Sequence, residues 1–326
     1  MKEIKSLNNR TVVITGASSG AGRAMALEFA LHQAQLVLAA RNEDALMELA
    51  DECRALGSKV LIVPADLSDA KAVINLATDA YNFGDGIDVW INNAGVLTAG
   101  EFDQVPMEVH AQVIQTNLMS FLFGAHAVIP YFKKQGSGIL INNISVGGFL
   151  PVPFGTSYTA SKFGLRGFSE ALKAELQGWK DIHVCDLFPA FLDTPGIQHA
   201  GNYTGKVLRP APPVYDPMRL AKAAVSLAVH PRSSVTVGSV STMLRLAHSL
   251  MPELTAGIVA RVIRTYLRTA DPAEVTSGNV FNPLRFGTST HGGWGLPGRP
   301  KAHRKYIVAA AVIAGVLSAG FLSGRR

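Results

Sequence analysis

The chain has 326 residues, 48% hydrophobic and 17% charged, a balance that excludes a disordered tail and allows one α/β domain with an extension. Its formal charge of +6 is uneven: positions 261–326 hold ten Lys/Arg against Asp271 and Glu274, a surplus of eight that leaves the first 260 residues at −2. The basic character therefore belongs to the C-terminal part and points to a membrane surface; aromatic and basic residues do not interleave, so no nucleic-acid partner is expected. Cys53 and Cys185 lack the spacing of a metal site or a disulfide framework, which fits a reducing compartment. The polar start, Met1 to Arg10, lacks the apolar stretch of a secretory signal, so the chain is expected to begin in the cytoplasm.

In chain order, Thr11 to Thr15 is a β-branched run entering a glycine loop, and Gly20 to Gln33 carries apolar residues at helical period: strand, turn, helix. The pattern repeats as strand Gln35 to Ala40, helix Asn42 to Leu56, strand Lys59 to Pro64, helix Ala70 to Phe83 and strand Ile87 to Asn92. A long helix is expected from Met107 to Lys134, then strand Ile139 to Ile144, helix Ser157 to Trp179 and strand His183 to Leu187. After a loop rich in Pro, Gly and aromatics, Pro189 to Pro217, helix Met218 to Val229 and strand Ser234 to Val237 close the series. Short apolar strands between helices imply a parallel sheet covered on both faces, here a Rossmann-type doubly wound α/β sheet of about seven strands over residues 1–240. Beyond it come a helical extension (241–276, with amphipathic Leu244 to Leu267), a Gly/Pro-rich basic linker (277–305) and a C-terminal membrane helix (306–323).

The loop Thr15 to Gly22, T-G-A-S-S-G-A-G, stands where a strand meets a helix. Gly16, Gly20 and Gly22 let backbone approach a pyrophosphate at the helix N-terminus, with Ser18, Ser19 and Ala21 completing the cradle; the alternative is a plain tight turn. At the end of the second strand an acidic residue would accept both ribose hydroxyls of NAD, but the chain reads Ala40-Arg41-Asn42. Arg41 pairs with a 2′-phosphate where a carboxylate would repel it, which favours NADP(H); the alternative is a solvated loop charge.

Tyr158 and Lys162 lie four apart on one expected helix and share a face. A tyrosine of ordinary pKa about 10 needs a neighbouring cation to work as a base near neutrality, and Lys162 is placed to be that cation. Taken alone the pair is an ordinary amphipathic surface pair. Together with Thr15 to Gly22, Asn92-Asn93-Ala94-Gly95, Asn117 and Ser145, in this order and spacing, it resembles the short-chain dehydrogenase/reductase family over about Asn8 to Gly238. The resemblance implies Tyr158 as general acid/base, Ser145 as the hydroxyl holding the substrate oxygen, Lys162 on the nicotinamide ribose, and Asn117 anchoring a proton-relay water. It also implies that Asn93, Ala94 and Gly95 support the sheet beside the adenosine ribose, that Asp66 contacts adenine, and that Pro189 and Thr194 flank the carboxamide. Asp66 reads equally as a residue opening the following helix, and Asn92 or Asn93 as a strand-end turn former. Two departures stand out: Pro189-Ala190 where the family has Pro-Gly, and Ala21 where it often has isoleucine. The implied reaction is hydride transfer between a carbonyl and an alcohol carbon, without a metal.

Leu97, Phe102, Phe149, Leu150, Val152, Phe154, Phe191, Leu192, Ile197 and Tyr203 fall in segments expected to line the substrate cleft, and charged anchors are scarce there. This favours a lipophilic substrate such as a steroid, retinoid or lipid, unless these side chains only pack the loop. Ile307 to Leu322 is uncharged and basic-flanked, about 24 Å long as a helix and slightly short of a hydrocarbon core, and reads as a membrane anchor with the catalytic domain on the cytoplasmic side; the alternative is a buried terminal helix or interfacial segment. The resemblance implies a homodimer or tetramer. The competing functional reading is a non-catalytic NADP-binding scaffold that keeps the fold, against which the intact Ser145, Tyr158 and Lys162 argue.

Overall fold

The computed structural model describes residues 6–295. The seven expected strands form one parallel sheet: β1 (Thr11–Thr15), β2 (Gln35–Ala40), β3 (Val60–Pro64), β4 (Val89–Asn92), then, after a two-residue strand β5 (Thr98–Ala99), β6 (Gly138–Asn143) and β7 (Ile182–Pro189). A second two-residue strand, β8 (Gly201–Asn202), precedes β9 (Ser234–Val237). The sheet order β3-β2-β1-β4-β6-β7-β9 reverses direction between β1 and β4, and this switch point is where a crevice opens at the carboxyl ends of the strands. Central strands must be apolar on both faces, and β1, β4 and residues 36–40 of β2 are buried throughout.

Helices α1 (Gly20–Leu31), α2 (Glu43–Ala55) and α7 (Met218–Val229) cover one face; α3 (Ala70–Gly84), α5 (Ser120–Gln135) and α6 (Thr156–Glu175) cover the other. One core holds Phe29, Leu36, Leu46 and Leu220, the other Trp90, Phe132, Leu140 and Leu176.

The expected helix from Met107 to Lys134 is broken. It comprises α4 (Met107–Ile114), a π-turn over Gln115–Met119, and α5. The extra residue in the turn places Asn117 on the loop after β4: its Oδ1 accepts from Val96 N–H at 2.7 Å and its Nδ2 donates to Val96 O at 2.9 Å. Among the described residues, Met107–Gln135 is the one stretch long and apolar enough to cross a membrane, but half of its most apolar window is buried within the protein, as in a core helix. The expected anchor, Ile307 to Leu322, lies outside the described residues.

The C-terminal extension folds as α8 (Ser239–Leu250) and α9 (Pro252–Thr269). Pro252 separates them: proline suits the first helical position but pushes its predecessor out of helical geometry, and Met251 is at φ −140°. The small parallel pair β5–β8 joins the loop after β4 to the loop after β7, which fixes the path of both loops.

Candidate active site

Gly16, Ser18, Ser19, Gly20, Ala21 and Gly22 of the glycine loop, with Arg41, Asp66, Asn93, Ala94, Gly95, Ser145, Tyr158, Lys162, Pro189 and Thr194, line one cavity of about 780 Å³. Asn117 is the exception among the expected residues; it is fully buried, Thr116 lines the wall in its place, and its side chain is spent on Val96 and on Ser161 Oγ at 3.3 Å.

The glycine loop is built for close approach. A Cβ at Gly22 would stand 2.1 Å from the Gly16 carbonyl oxygen, and one at Gly16, whose φ is +65°, 2.7 Å from Ala94 Cα. Ala21 and Gly22 in the first turn of α1 make no amide hydrogen bond within the described chain, so two donors remain for an anion at the positive end of the helix. The residues present thus fit a dinucleotide diphosphate. Asn93 holds the loop to the sheet: its Nδ2 donates to Thr15 O at 2.9 Å and Gly16 O at 3.2 Å, while its Oδ1 accepts from Asn143 Nδ2 at 2.8 Å. Asp66 Oδ1 accepts from Ser68 N–H at 3.0 Å and Ser68 Oγ at 2.8 Å, a turn ahead of the true cap of α3, Asp69.

Arg41 is not a free loop charge. Its Nη2 donates to Asn279 O at 2.6 Å and its Nη1 to Phe281 O at 2.8 Å; burial lowers its pKa, with Asp66 opposing. The stretch 277–295, expected within a linker, does not lie apart from the domain: it crosses the cavity from Arg41 to Thr194, whose carbonyl accepts from Trp294 Nε1 at 3.1 Å. The departure at Ala190 leaves the loop path pinned, since Ala190 N–H donates to Val237 O at 2.9 Å, continuing the β7–β9 ladder.

Ser145, two residues past the end of β6, sits at φ 122°, a conformation that costs a non-glycine residue about 1–3 kcal/mol and marks places where side-chain direction is constrained. Its Oγ accepts from Gly147 N–H at 3.1 Å, opening a short 3₁₀ turn that brings Gly147 against the Tyr158 ring. Burial pushes the Tyr158 hydroxyl up, and its hydrogen bond with Ser145 pulls it partly back. Lys162 is 5% exposed and has its Nζ 5.2 Å from the Phe121 ring centroid and 5.7 Å from that of Tyr158; burial lowers its pKa to about 7. Tyr158 accordingly keeps its proton near neutrality in this state, and a charged Lys162 beside it would favour the phenolate. The arrangement can donate a proton to an oxygen held between Tyr158 and Ser145, and with Lys162 charged can take one.

The short chain dehydrogenase family model matches residues 10–202. The chain is a short-chain dehydrogenase. It is 31% identical over 327 residues to the uncharacterized oxidoreductase YxnA of Bacillus subtilis (strain 168), covering 97% of this chain and 91% of that protein, so the likeness extends into the C-terminal part. It is also 31% identical to 17-beta-hydroxysteroid dehydrogenase 13 of Mus musculus, over 63% of this chain and 68% of that one. Among solved structures, a metagenomic short-chain oxidoreductase in complex with NADP shares 28% identity and a TM-score of 0.62, covering 72% of this chain and 98% of its own.

The rest of the cavity is as apolar as expected, and seven of the ten expected residues take part in it. Leu97, Leu150, Val152, Phe154, Phe191, Leu192 and Ile197 line the cavity. Phe102 is 61% exposed against His110, Phe149 packs on Phe188 and Arg245, and Tyr203 joins the Val96–Val280 cluster. Their places are taken by Leu244 of α8 and by Val259, Val262, Ile263 and Tyr266 of α9, together with Leu208. The signal was present in the amphipathic period of Leu244 to Leu267; which way the apolar face turned was not.

Proposed function

We propose that the protein is an NADP(H)-dependent oxidoreductase that interconverts a carbonyl and an alcohol on a lipophilic substrate. The observation that carries this reading is the Tyr158 and Ser145 pair at the floor of an apolar cavity continuous with the glycine loop, with Lys162 buried beside it. The nicotinamide, when bound, supplies the hydride; the chain supplies the proton and the alignment. In reduction Tyr158 donates its proton to the substrate oxygen while Ser145 orients that oxygen. In oxidation a charged Lys162 lowers the cost of the Tyr158 phenolate that takes the alcohol proton. Asn117 ties the loop after β4 to α6 through Val96 and Ser161, which keeps Tyr158 facing the trough.

NADP(H) is favoured by Arg41 at the end of β2 with no carboxylate in its place, and a relative in complex with NADP is in keeping with this. A lipophilic substrate is supported by the aliphatic wall from α8 and α9 and by likeness to a steroid dehydrogenase. The basic-flanked apolar run from Ile307 to Leu322 supports membrane attachment, with the site on the cytoplasmic side.

The test is NADPH and NADH oxidation by detergent-solubilised protein against a panel of lipophilic ketones and aldehydes, with Tyr158→Phe in parallel. NADPH-selective turnover lost in the variant is the expected result. Tight NADPH binding without turnover in either direction would replace this reading with a non-catalytic scaffold.

A further inference from the structure

Residues 279–295 have no regular secondary structure, yet both ends are fastened and the middle is tied at intervals. At the first end Val280 is fully buried against Val96, Val105, Val109 and Val113, and Arg41 holds the carbonyls of Asn279 and Phe281. Asn42 Nδ2 then donates to Leu284 O at 3.2 Å, the His199 ring meets Phe286 O at 3.0 Å, and Gly20 N–H donates to Ser289 O at 3.0 Å. At the far end the Asp193 carboxylate accepts three main-chain N–H groups, from Gly292 at 3.1 Å, Trp294 at 2.8 Å and Gly295 at 3.0 Å. A carboxylate collecting three amides is a strong local anchor.

This segment does not fill the trough. Pro283, Leu284, Phe286, Gly287 and Thr288 line the same cavity as the glycine loop, and that cavity as a whole keeps about 780 Å³ open. We infer that residues 279–289 are a strap that completes the dinucleotide site over its adenosine and diphosphate portions, so that the dinucleotide enters and leaves only when the strap lifts. The inference rests on the NADP(H) reading above and deepens it. Gly20, the first amide of α1, is already taken by Ser289 O, which leaves Ala21 and Gly22 for the diphosphate beneath the strap. Arg41 sits between the strap carbonyls and the place of a 2′-phosphate, so the anion that selects NADP(H) would bear on the same cation that holds the strap down. Arg41 is in this respect a positioning residue as well as a ligand. The strap then retains NADPH longer than NADH.

The test uses the full-length protein in detergent and two readouts: NADPH dissociation by stopped-flow fluorescence, and tryptic cleavage after the exposed Arg285 within the strap. At about ten times its Kd, NADPH should slow cleavage at Arg285 roughly tenfold in the wild type, with NADH less protective at matched saturation. Asp193→Ala removes the three-amide anchor. Gly287→Ala strains the strap from within, because a Cβ there would stand 2.4 Å from His199 Nε2 at a φ of +69°. Each should speed NADPH dissociation about tenfold and expose Arg285 even with NADPH bound. NADPH that binds by fluorescence yet leaves cleavage at Arg285 unchanged in the wild type overturns the strap alone. Absence of any nicotinamide-dinucleotide binding overturns the cofactor reading and the strap with it. The wild-type protection measurement needs no variant, so a misfolded Asp193→Ala or Gly287→Ala protein leaves the test intact.

Discussion

The glycine loop and the strap line one trough, meet where Gly20 N–H donates to Ser289 O, and are held in different ways. The loop is shaped by its own strand–turn–helix and by van der Waals limits: three of its residues are glycine, and a Cβ at Gly22 would collide with the Gly16 carbonyl. The strap has almost no internal bonding and is held by side chains from far along the chain, Arg41 reaching across 238 residues to Asn279. A surface shaped by local backbone fixes where a ligand rests. A surface held by distant side chains can release, and that division separates binding from exchange.

The comparison is sharpened first at the chemistry both walls enclose. Tyr158→Phe should cut turnover about 10³-fold while NADPH affinity, measured by fluorescence titration, stays near wild type, because only the transferred proton is lost. If affinity falls as far as turnover, Tyr158 belongs to the cofactor wall instead. Gly22→Ala should weaken NADPH binding by about 100-fold in calorimetry, since either the loop or the helix start must shift by more than an ångström. This is an equilibrium effect on the rigid wall, unlike the kinetic effect expected of the strap.

Arg41→Ala should reduce the preference for NADPH over NADH, as a ratio of Kd values, by about 10- to 30-fold, the worth of one or two charged hydrogen bonds. An unchanged ratio would leave Arg41 to the strap alone.

Lys162 gives a smaller, pH-dependent effect. In the unfolded chain it holds its proton up to about 10.5, whereas in the folded cofactor-free protein burial lowers its pKa to about 7. Between these values the unfolded state binds more protons, so Lys162 makes stability rise with pH, by at most about 1.4 kcal/mol per unit, and below about 7 its contribution is level. Subtracting denaturation curves of Lys162→Met from wild type across pH 6–9 should reveal this slope; parallel curves would mean that the lysine stays charged when folded. Smallest is Val280→Ala, at about 1 kcal/mol of global stability with a larger rise in Arg285 cleavage, because the loss falls on the strap's buried anchor.

Much of the site was legible because each piece obeys a local rule. The short apolar strand runs between helices, the glycines at a strand-to-helix turn, and Tyr158 and Lys162 one helical turn apart all depend on residues within about ten positions of one another. The seven strands followed, and the expected residues around the glycine loop, Ser145, Tyr158 and Lys162 line one cavity, whereas Asn117, Phe102, Phe149 and Tyr203 do not. The break at Asn117 was not legible, because the π-turn exists to meet Val96, 21 residues away. Nor was the short β5–β8 pairing, whose two residues on each side carry no period.

The sequence by itself determined the order of strands and helices, the glycine cradle and the spacing of Ser145, Tyr158 and Lys162, since backbone sterics and helical period act over a few residues. Only the tertiary structure decided that 277–295 folds back over the trough, that Arg41 meets that segment, and that α9 turns Val259, Ile263 and Tyr266 to the same cavity as the glycine loop. Those outcomes rest on contacts between residues up to 240 positions apart, where a Gly/Pro-rich stretch with no period of its own takes whatever path its distant partners impose.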